Sequence, residues 1–441
     1  MDMARRNLMA STVAAAAAAA APAVGRTASP AGGFPKGFLW GAATAGHQVE
    51  GNNVNADQWM LETVKPALPL SPSGDACNSF ELWRTDLDIA RDLKLNAYRF
   101  SVEWPRIEPE EGMFSLAMLD HYRAMARGCR ERGLTPVVTL CHFTTPRWFA
   151  ARGGWTSDAA PPLFARYCER VIRHLGADVA YVATLNEPNN ALLLQSVLPD
   201  PFWQALRASL DACARAAGGS RFTVGNTVLP EDVEAVTRNM LSGHRLAKAA
   251  IKAVRPELPV GVTLAVLDDQ AVGKDSLRDA MRERFYGAWL RAARKDDFVG
   301  VQNYERAVWN AKGKLPPPKG VPTNYSGAEI YPASLANAVT YVHAATGTPV
   351  LVTEHGVGTP DDSKRAALIP VALKHLEAVV AQGVPVLGYI HWSLLDNYEW
   401  GGSKDATFGL VAVDHQSFAR RPKPSAAILA AIASKNSVQV Q

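Results

Sequence analysis

Two runs decide the architecture: VAYVATLNE at residues 179–187 and PVLVTEH at residues 349–355. Each is a short, Val-rich apolar stretch carrying a glutamate at its carboxyl end. Six more runs share that apolar character: FLWGAAT (38–44), AYRFSVEW (97–104), TPVVTLCHF (135–143), PVGVTLAV (259–266), FVGVQNY (298–304) and VLGYIHWS (386–393). Segments of helical periodicity lie between them, such as SFELWRTDLDIARDLKL, LDHYRAMARGCRERG, LFARYCERVIRHLG and KRAALIPVALKHLEAVVAQG. Near-continuous apolar strands joined by helices predict a parallel sheet covered on its faces. Eight such units in sequence predict a closed (β/α)8 barrel, an α/β fold of the TIM-barrel type.

Length alone, 441 residues, would suggest two or three domains. The unbroken cycle of eight units replaces that expectation with one barrel over residues 34–435, enlarged by loops. The insertions fall after strands one, four and six. The fourth runs through residues 189–230 and contains LLLQSVLPDPFWQ, with Phe202 and Trp203; the sixth contains GKLPPPKGVPTNYSG, too Pro-rich for regular structure. Loops that follow barrel strands lie at the catalytic face, so these are expected to wall a cleft. Surface decoration is the alternative.

Composition narrows the function. The chain is 48% apolar and 20% charged, and its 46 Lys and Arg against 42 Asp and Glu leave a formal charge of +4. No basic block lies outside the N-terminus, so no nucleic-acid ligand is expected. With neither CxxC nor HExxH, no metal or cofactor is expected. Residues 1–30 open with Arg5 and Arg6, continue as an Ala-rich run and offer Ala21-Pro22-Ala23 as a cleavage site. That order fits a cleaved export signal, and the adjacent arginines resemble the twin-arginine type, so a periplasmic or secreted protein is expected. No stretch has the roughly 20 strongly apolar residues of a membrane span. The five cysteines, Cys77, Cys129, Cys141, Cys168 and Cys213, show no paired pattern and are expected to be free, buried thiols.

Glu187 ends the fourth strand and Glu354 the seventh. Three steps apart around the ring, they can face each other across its mouth. A lone glutamate there is as readily structural. Two of them suit glycoside hydrolysis, one protonating the leaving oxygen while the other attacks the anomeric carbon.

With these residues in view, the sequence resembles glycoside hydrolase family 1, the β-glucosidase and β-galactosidase family. The likeness is carried by FLWGAATAGHQVEG, NAYRFSVEWPRIEPEEG, TLCHFTTPRW, TLNEP, VTEHG and WSLLDNYEWGGSKDATFGLVAVD, in that order. The resemblance implies a retaining enzyme, with Glu187 as acid/base, Glu354 as nucleophile and carboxyls roughly 5–5.5 Å apart. It places Asn186 at the sugar 2-OH, and Arg99 and Tyr304 on the nucleophile. Gln48, His142, Glu399 and Trp400 would hold the sugar hydroxyls, with Trp392 as the platform beneath the ring. Glu399 implies a non-phosphorylated sugar, and the expected ligand is a small glycoside. Three positions depart from the family pattern. His355 follows the nucleophile where Asn is usual, Gln302 stands where a sugar-facing Asn is expected, and Phe143 replaces a commoner Trp. They leave the choice among glucose, galactose and fucose open, as are the aglycone and the oligomeric state. A transglycosidase, or an inactive sugar-binding module, is the alternative to a hydrolase; the module should lack one carboxylate, and both are present.

Overall fold

The computed structural model describes residues 33–66, 68, 70–400 and 405–438. The export signal expected at residues 1–30 lies outside the described residues, as does the 401–404 portion of the closing motif. Eight parallel strands form a closed barrel: β1 (Leu39–Ala43), β2 (Ala97–Ser101), β3 (Thr135–Cys141), β4 (Tyr181–Asn186), β5 (Val260–Ala265), β6 (Phe298–Asn303), β7 (Val350–His355) and β8 (Val386–Trp392). Their order around the ring is the order of the chain, and β8 closes on β1 with Leu39 opposite Gly388. A helix follows each strand, from Ser79–Asp92 after β1 to Pro424–Lys435 after β8.

Sequence periodicity explains the helices. In Ala160–Leu175, Phe164, Tyr167, Cys168, Val171, Ile172 and Leu175 are buried, three or four residues apart, so one face meets the barrel. The Ser115 side chain caps Leu116–Glu131 by accepting from the Met118 amide. Left-handed Gly347 and Asn436 end Ser334–Thr346 and Pro424–Lys435. Asn436 also closes the foot of the barrel: it accepts from the Trp40 indole (2.9 Å) and donates to the Phe34 carbonyl (2.7 Å). All five cysteines are free and buried.

The strands are shorter than the apolar runs. Residues 102–104, 142–143, 187, 304 and 393 lie beyond the strand ends. At two of these edges the backbone turns out of the sheet through a left-handed residue, Phe143 (φ 71°) and Glu187 (φ 43°). Small elements invisible to periodicity decorate the upper rim. Asp268–Ala271 pairs with Arg306–Asn310, which pairs with Gly313–Lys314, and Val411–Val413 pairs with Arg420–Pro422. The Pro-rich stretch thus opens on two residues of strand before losing regular structure.

The two long insertions differ in use. From the sixth, Asn324, Tyr325 and Ser326 line the cavity at the barrel mouth, as expected of a cleft wall. The fourth contains the helices Asn190–Val197 and Asp200–Ala216, and from it Asn190 reaches the cavity. Trp203 is buried with Met60, Leu61, Leu206 and Phe222 in a second apolar cluster, with Phe202 packed against it. Those two aromatics support the strand-one loop. Among the described residues, no helix is long and apolar enough to cross a membrane.

Candidate active site

At the carboxyl ends of the strands lies a cavity of about 240 Å³, lined by Gln48, His142, Asn186, Glu187, Tyr304, Glu354, Trp392, Glu399 and Trp400 among others. Nine of the ten residues singled out in the sequence therefore share one space. Arg99, the tenth, is buried beneath its floor.

Glu354 stands near the end of β7, and three donors converge on it. Arg99 Nη1 (2.6 Å) and Gln302 Nε2 (2.7 Å) both donate to Oε1, and the Tyr304 hydroxyl donates to Oε2 (2.6 Å). Arg99 is itself fixed from β3 and β4. Its Nε donates to Thr139 Oγ1 (3.0 Å) and its Nη2 to Asn186 Oδ1 (2.5 Å). Glu187 is built differently. Its amide donates to the Thr263 carbonyl of β5 (2.9 Å), while no side chain among the described residues donates to its carboxyl.

These surroundings separate two chemically identical groups. Burial first, then the charge of Glu354, holds Glu187 well above the ordinary carboxylate range, with Arg99 opposing. Burial also pushes Glu354 up, but the Arg99 charge and the bonds from Tyr304 and Arg99 push it back. The last proton therefore settles on Glu187 and the charge on Glu354. Burial and the nearby carboxylates keep Tyr304 in its phenol form, a donor throughout.

The remaining residues form a pocket beside this pair. Gln48 Nε2 donates to the Tyr398 carbonyl (2.9 Å), leaving Oε1 buried without a partner among the described residues; His142 Nδ1 is equally unmet. Burial, then Arg99, holds His142 far below its usual pKa, so its ring is neutral. Trp392 stacks on His142 (centroids 5.5 Å apart, planes at 17°), and Trp400 meets Phe143 edge to face (5.4 Å, 85°). Burial raises the Glu399 carboxyl well above the usual range, opposed by its bond from Trp392. With its amide turned to donate, Asn397 reaches Glu399 Oε1 at 2.9 Å. Unmet acceptors, a carboxyl and aromatic rings in the lining suit a ring with several hydroxyls on one side and C–H groups on the other.

Two of the departures from the family pattern take on different meanings here. His355 points away from the cavity: its Nδ1 meets the Tyr389 hydroxyl (2.9 Å), and burial lowers its pKa to about 3. It is a neutral structural residue. Gln302 does not line the cavity and is instead bonded to Glu354 and Asn186; an inward strand position paired in register with Glu354 makes that reach possible.

One supporting group escaped the sequence reading. His47 lies parallel to Trp400 (5.6 Å, 4°), and its Nε2 meets Glu62 Oε1 at 3.1 Å. Its position beside Gln48 in FLWGAATAGHQVEG was the available signal; its partner, on the helix Asp57–Thr63, had none.

Known proteins are similar to this chain in sequence and fold. Residues 31–200 and 293–438 match the sequence profile described as Glycosyl hydrolase family 1. The chain is similar to beta-glucosidase A of Thermotoga maritima, 28% identical over 440 residues that cover 89% of this chain and 96% of the relative. Among solved structures it is similar to the apo form of beta-glucosidase 1317, with 41% identity, a TM-score of 0.86 and coverage of 90% of this chain and 98% of the other. It is also similar to beta-glycosidase BGL167, with 42% identity, a TM-score of 0.85 and coverage of 92% and 98%. A closed parallel barrel, a cavity holding two carboxyls at its strand ends and a profile match over most of the sequence converge: the chain belongs to glycosyl hydrolase family 1 and is a glycoside hydrolase.

Proposed function

We propose that this hydrolase releases terminal, non-phosphorylated β-linked sugars, β-glucosides foremost, with retention of anomeric configuration. The observation that carries the proposal is the asymmetry of the carboxyls: three side-chain donors grip Glu354, and among the described residues no side chain donates to the Glu187 carboxyl. In the first step Glu354 attacks the anomeric carbon while the bond to the leaving oxygen breaks and Glu187 delivers its proton to that oxygen. In the second, Glu187, now ionised, takes a proton from water as the water oxygen displaces Glu354. Asn186 would hold the 2-OH, while Gln48, His142, Glu399 and Trp400 would hold the others over Trp392. A glutamate rather than a cation at position 399 favours hydroxyls over a phosphate. The glucose preference is supported by the names of relatives, which include beta-glucosidases.

The test is a panel of 4-nitrophenyl β-glycosides assayed with wild type, Glu354→Gln and Glu187→Ala, with the anomer of the first-formed sugar read by NMR. The expected result is β-product, loss of at least 10³-fold in Glu354→Gln, and a smaller loss in Glu187→Ala for activated aryl than for alkyl glycosides. α-Product, or full activity in Glu354→Gln, would refute the assignment. We propose also that residues 1–30 are an export signal of the twin-arginine type and that the mature protein works outside the cytoplasm; the adjacent Arg5 and Arg6, the Ala-rich run and Ala21-Pro22-Ala23 support this.

A further inference from the structure

Gln302 sits on β6 in register with Glu354 of β7 and is about 1% exposed. Its Nε2 donates to Glu354 Oε1 (2.7 Å) and Asn186 Oδ1 (2.8 Å), with Thr263 Oγ1 farther away at 3.3 Å. An amide nitrogen has two hydrogens, and the two shorter bonds use both. A single group thus joins the candidate nucleophile to the residue expected at the sugar 2-OH. We propose that Gln302 is a positioning residue that locks one oxygen of Glu354 to Asn186, fixes which oxygen attacks and favours the ionised nucleophile. The proposal rests on Glu354 being the nucleophile.

Two observations separate this role from a structural one. Gln302 Oε1 is buried and has no partner among the described residues. An unmet buried acceptor costs a fold stability, so packing alone would favour Leu or Met here. The side chain also has no share in the cavity lining, so its effect on substrate must pass through Glu354 and Asn186. Among the described residues, Oε1 of Glu354 takes two donors, Arg99 and Gln302, whereas Oε2 takes one, Tyr304, a residue of the cavity wall. Oε1 is therefore the anchored oxygen. Oε2 forms the bond to the anomeric carbon as the bond to the leaving oxygen breaks and that oxygen takes its proton from Glu187. The asparagine expected from the family resemblance is one methylene shorter, so Gln302 reaches farther than that pattern would.

The groups that set the titration of Glu354 are Arg99 from β2, Tyr304 after β6, Glu187 after β4 and Glu399 after β8. Gln302 adds an uncharged donor, and removing it raises the proton affinity of the carboxylate. The experiment compares full-length wild type, Gln302→Leu and Gln302→Met by the pH profile of kcat/KM on the 4-nitrophenyl glycoside that wild type cleaves best, with Tm measured alongside. Both variants should show an acid limb displaced upward by about one pH unit. At the optimum, a loss of about tenfold should fall on kcat with KM changed less than threefold, and Tm should not fall. Met preserves the length of the side chain, so one folded variant suffices. An acid limb in the wild-type position in either folded variant would overturn the proposal, as would a lowered Tm with unchanged kinetics. Failure of the nucleophile assignment would look different, because Glu354→Gln would then retain activity in parallel assays.

Discussion

Replacing Arg99 by Met removes the charge on which the division between the two carboxyls depends. Arg99 is fully buried and its Nη1 lies 2.6 Å from Glu354 Oε1. At an effective dielectric of about 20, unit charges about 4 Å apart interact by about 4 kcal/mol, equivalent to about three pH units at about 1.36 kcal/mol each. Gln302 and Tyr304 keep their bonds to the carboxylate, so a rise of about two units is expected for Glu354. Arg99 also opposes protonation of Glu187, so that group rises as well, by less, because its carboxyl makes no bond to the guanidinium. In the pH profile of kcat/KM both limbs should move to higher pH, the acid limb farther, and the bell should narrow. Breaking a buried pair from one side should cost about 3–5 kcal/mol of stability. That cost has a pH signature. In the variant the folded-state pKa of Glu354 lies well above its ordinary value of 4.5, so its contribution is fully present below that value and is lost as pH rises through the raised one. The Tm deficit should therefore widen from pH 5 to pH 8. A folded Arg99→Met whose acid limb stays within about 0.3 unit of wild type, with a Tm deficit independent of pH, would refute this account of the charge on Glu354.

His355→Gln should leave both limbs of the profile in place, because a ring held near pKa 3 by burial is neutral across the working range; lost stability of about 1–2 kcal/mol from the broken Tyr389 bond is the expected cost, and a displaced limb would show that the ring does face the nucleophile. The export proposal predicts a mature N-terminus near Val24 in the mass of protein recovered outside the cytoplasm, and an intact Met1 in that material would sink it.

The barrel was legible because its determinants are local. Eight apolar runs of strand length, each followed by a helix with one buried face, leave little freedom, and all eight strands fall within the runs read from sequence. The carboxyls were legible for a related reason: a glutamate at the carboxyl end of a barrel strand has one direction to go. Relations that depend on pairings across long separations were hidden. Nothing in PVGVTLAV or FVGVQNY says that the strand-five and strand-six loops pair through Asp268–Ala271 and Arg306–Asn310. Nothing in LPDPFWQ says that Trp203 will be buried against Met60 and Leu61 rather than face a ligand.

Gln302 marks the boundary between the two kinds of information. Its neighbours in sequence fix it to β6, but its function depends on the register of β6 against β7, which sets Gln302 opposite Glu354, and on Arg99 arriving from β2 at the same oxygen. A family pattern suggests a sugar contact at that position; the added methylene carries the amide to the carboxylate instead. The same logic explains why His355, one residue from the nucleophile, is irrelevant to its charge. Alternation along β7 sends adjacent side chains to opposite faces, so His355 meets Tyr389 behind the barrel wall while Glu354 meets Arg99 within it. Proximity in sequence to a reacting group is therefore weak evidence of chemical influence in this fold. Sharing a face and a hydrogen-bond partner is strong evidence, and by that measure Arg99, Gln302, Tyr304 and Asn186 form one electrostatic unit with Glu354, in which a change at any member should be felt by the others.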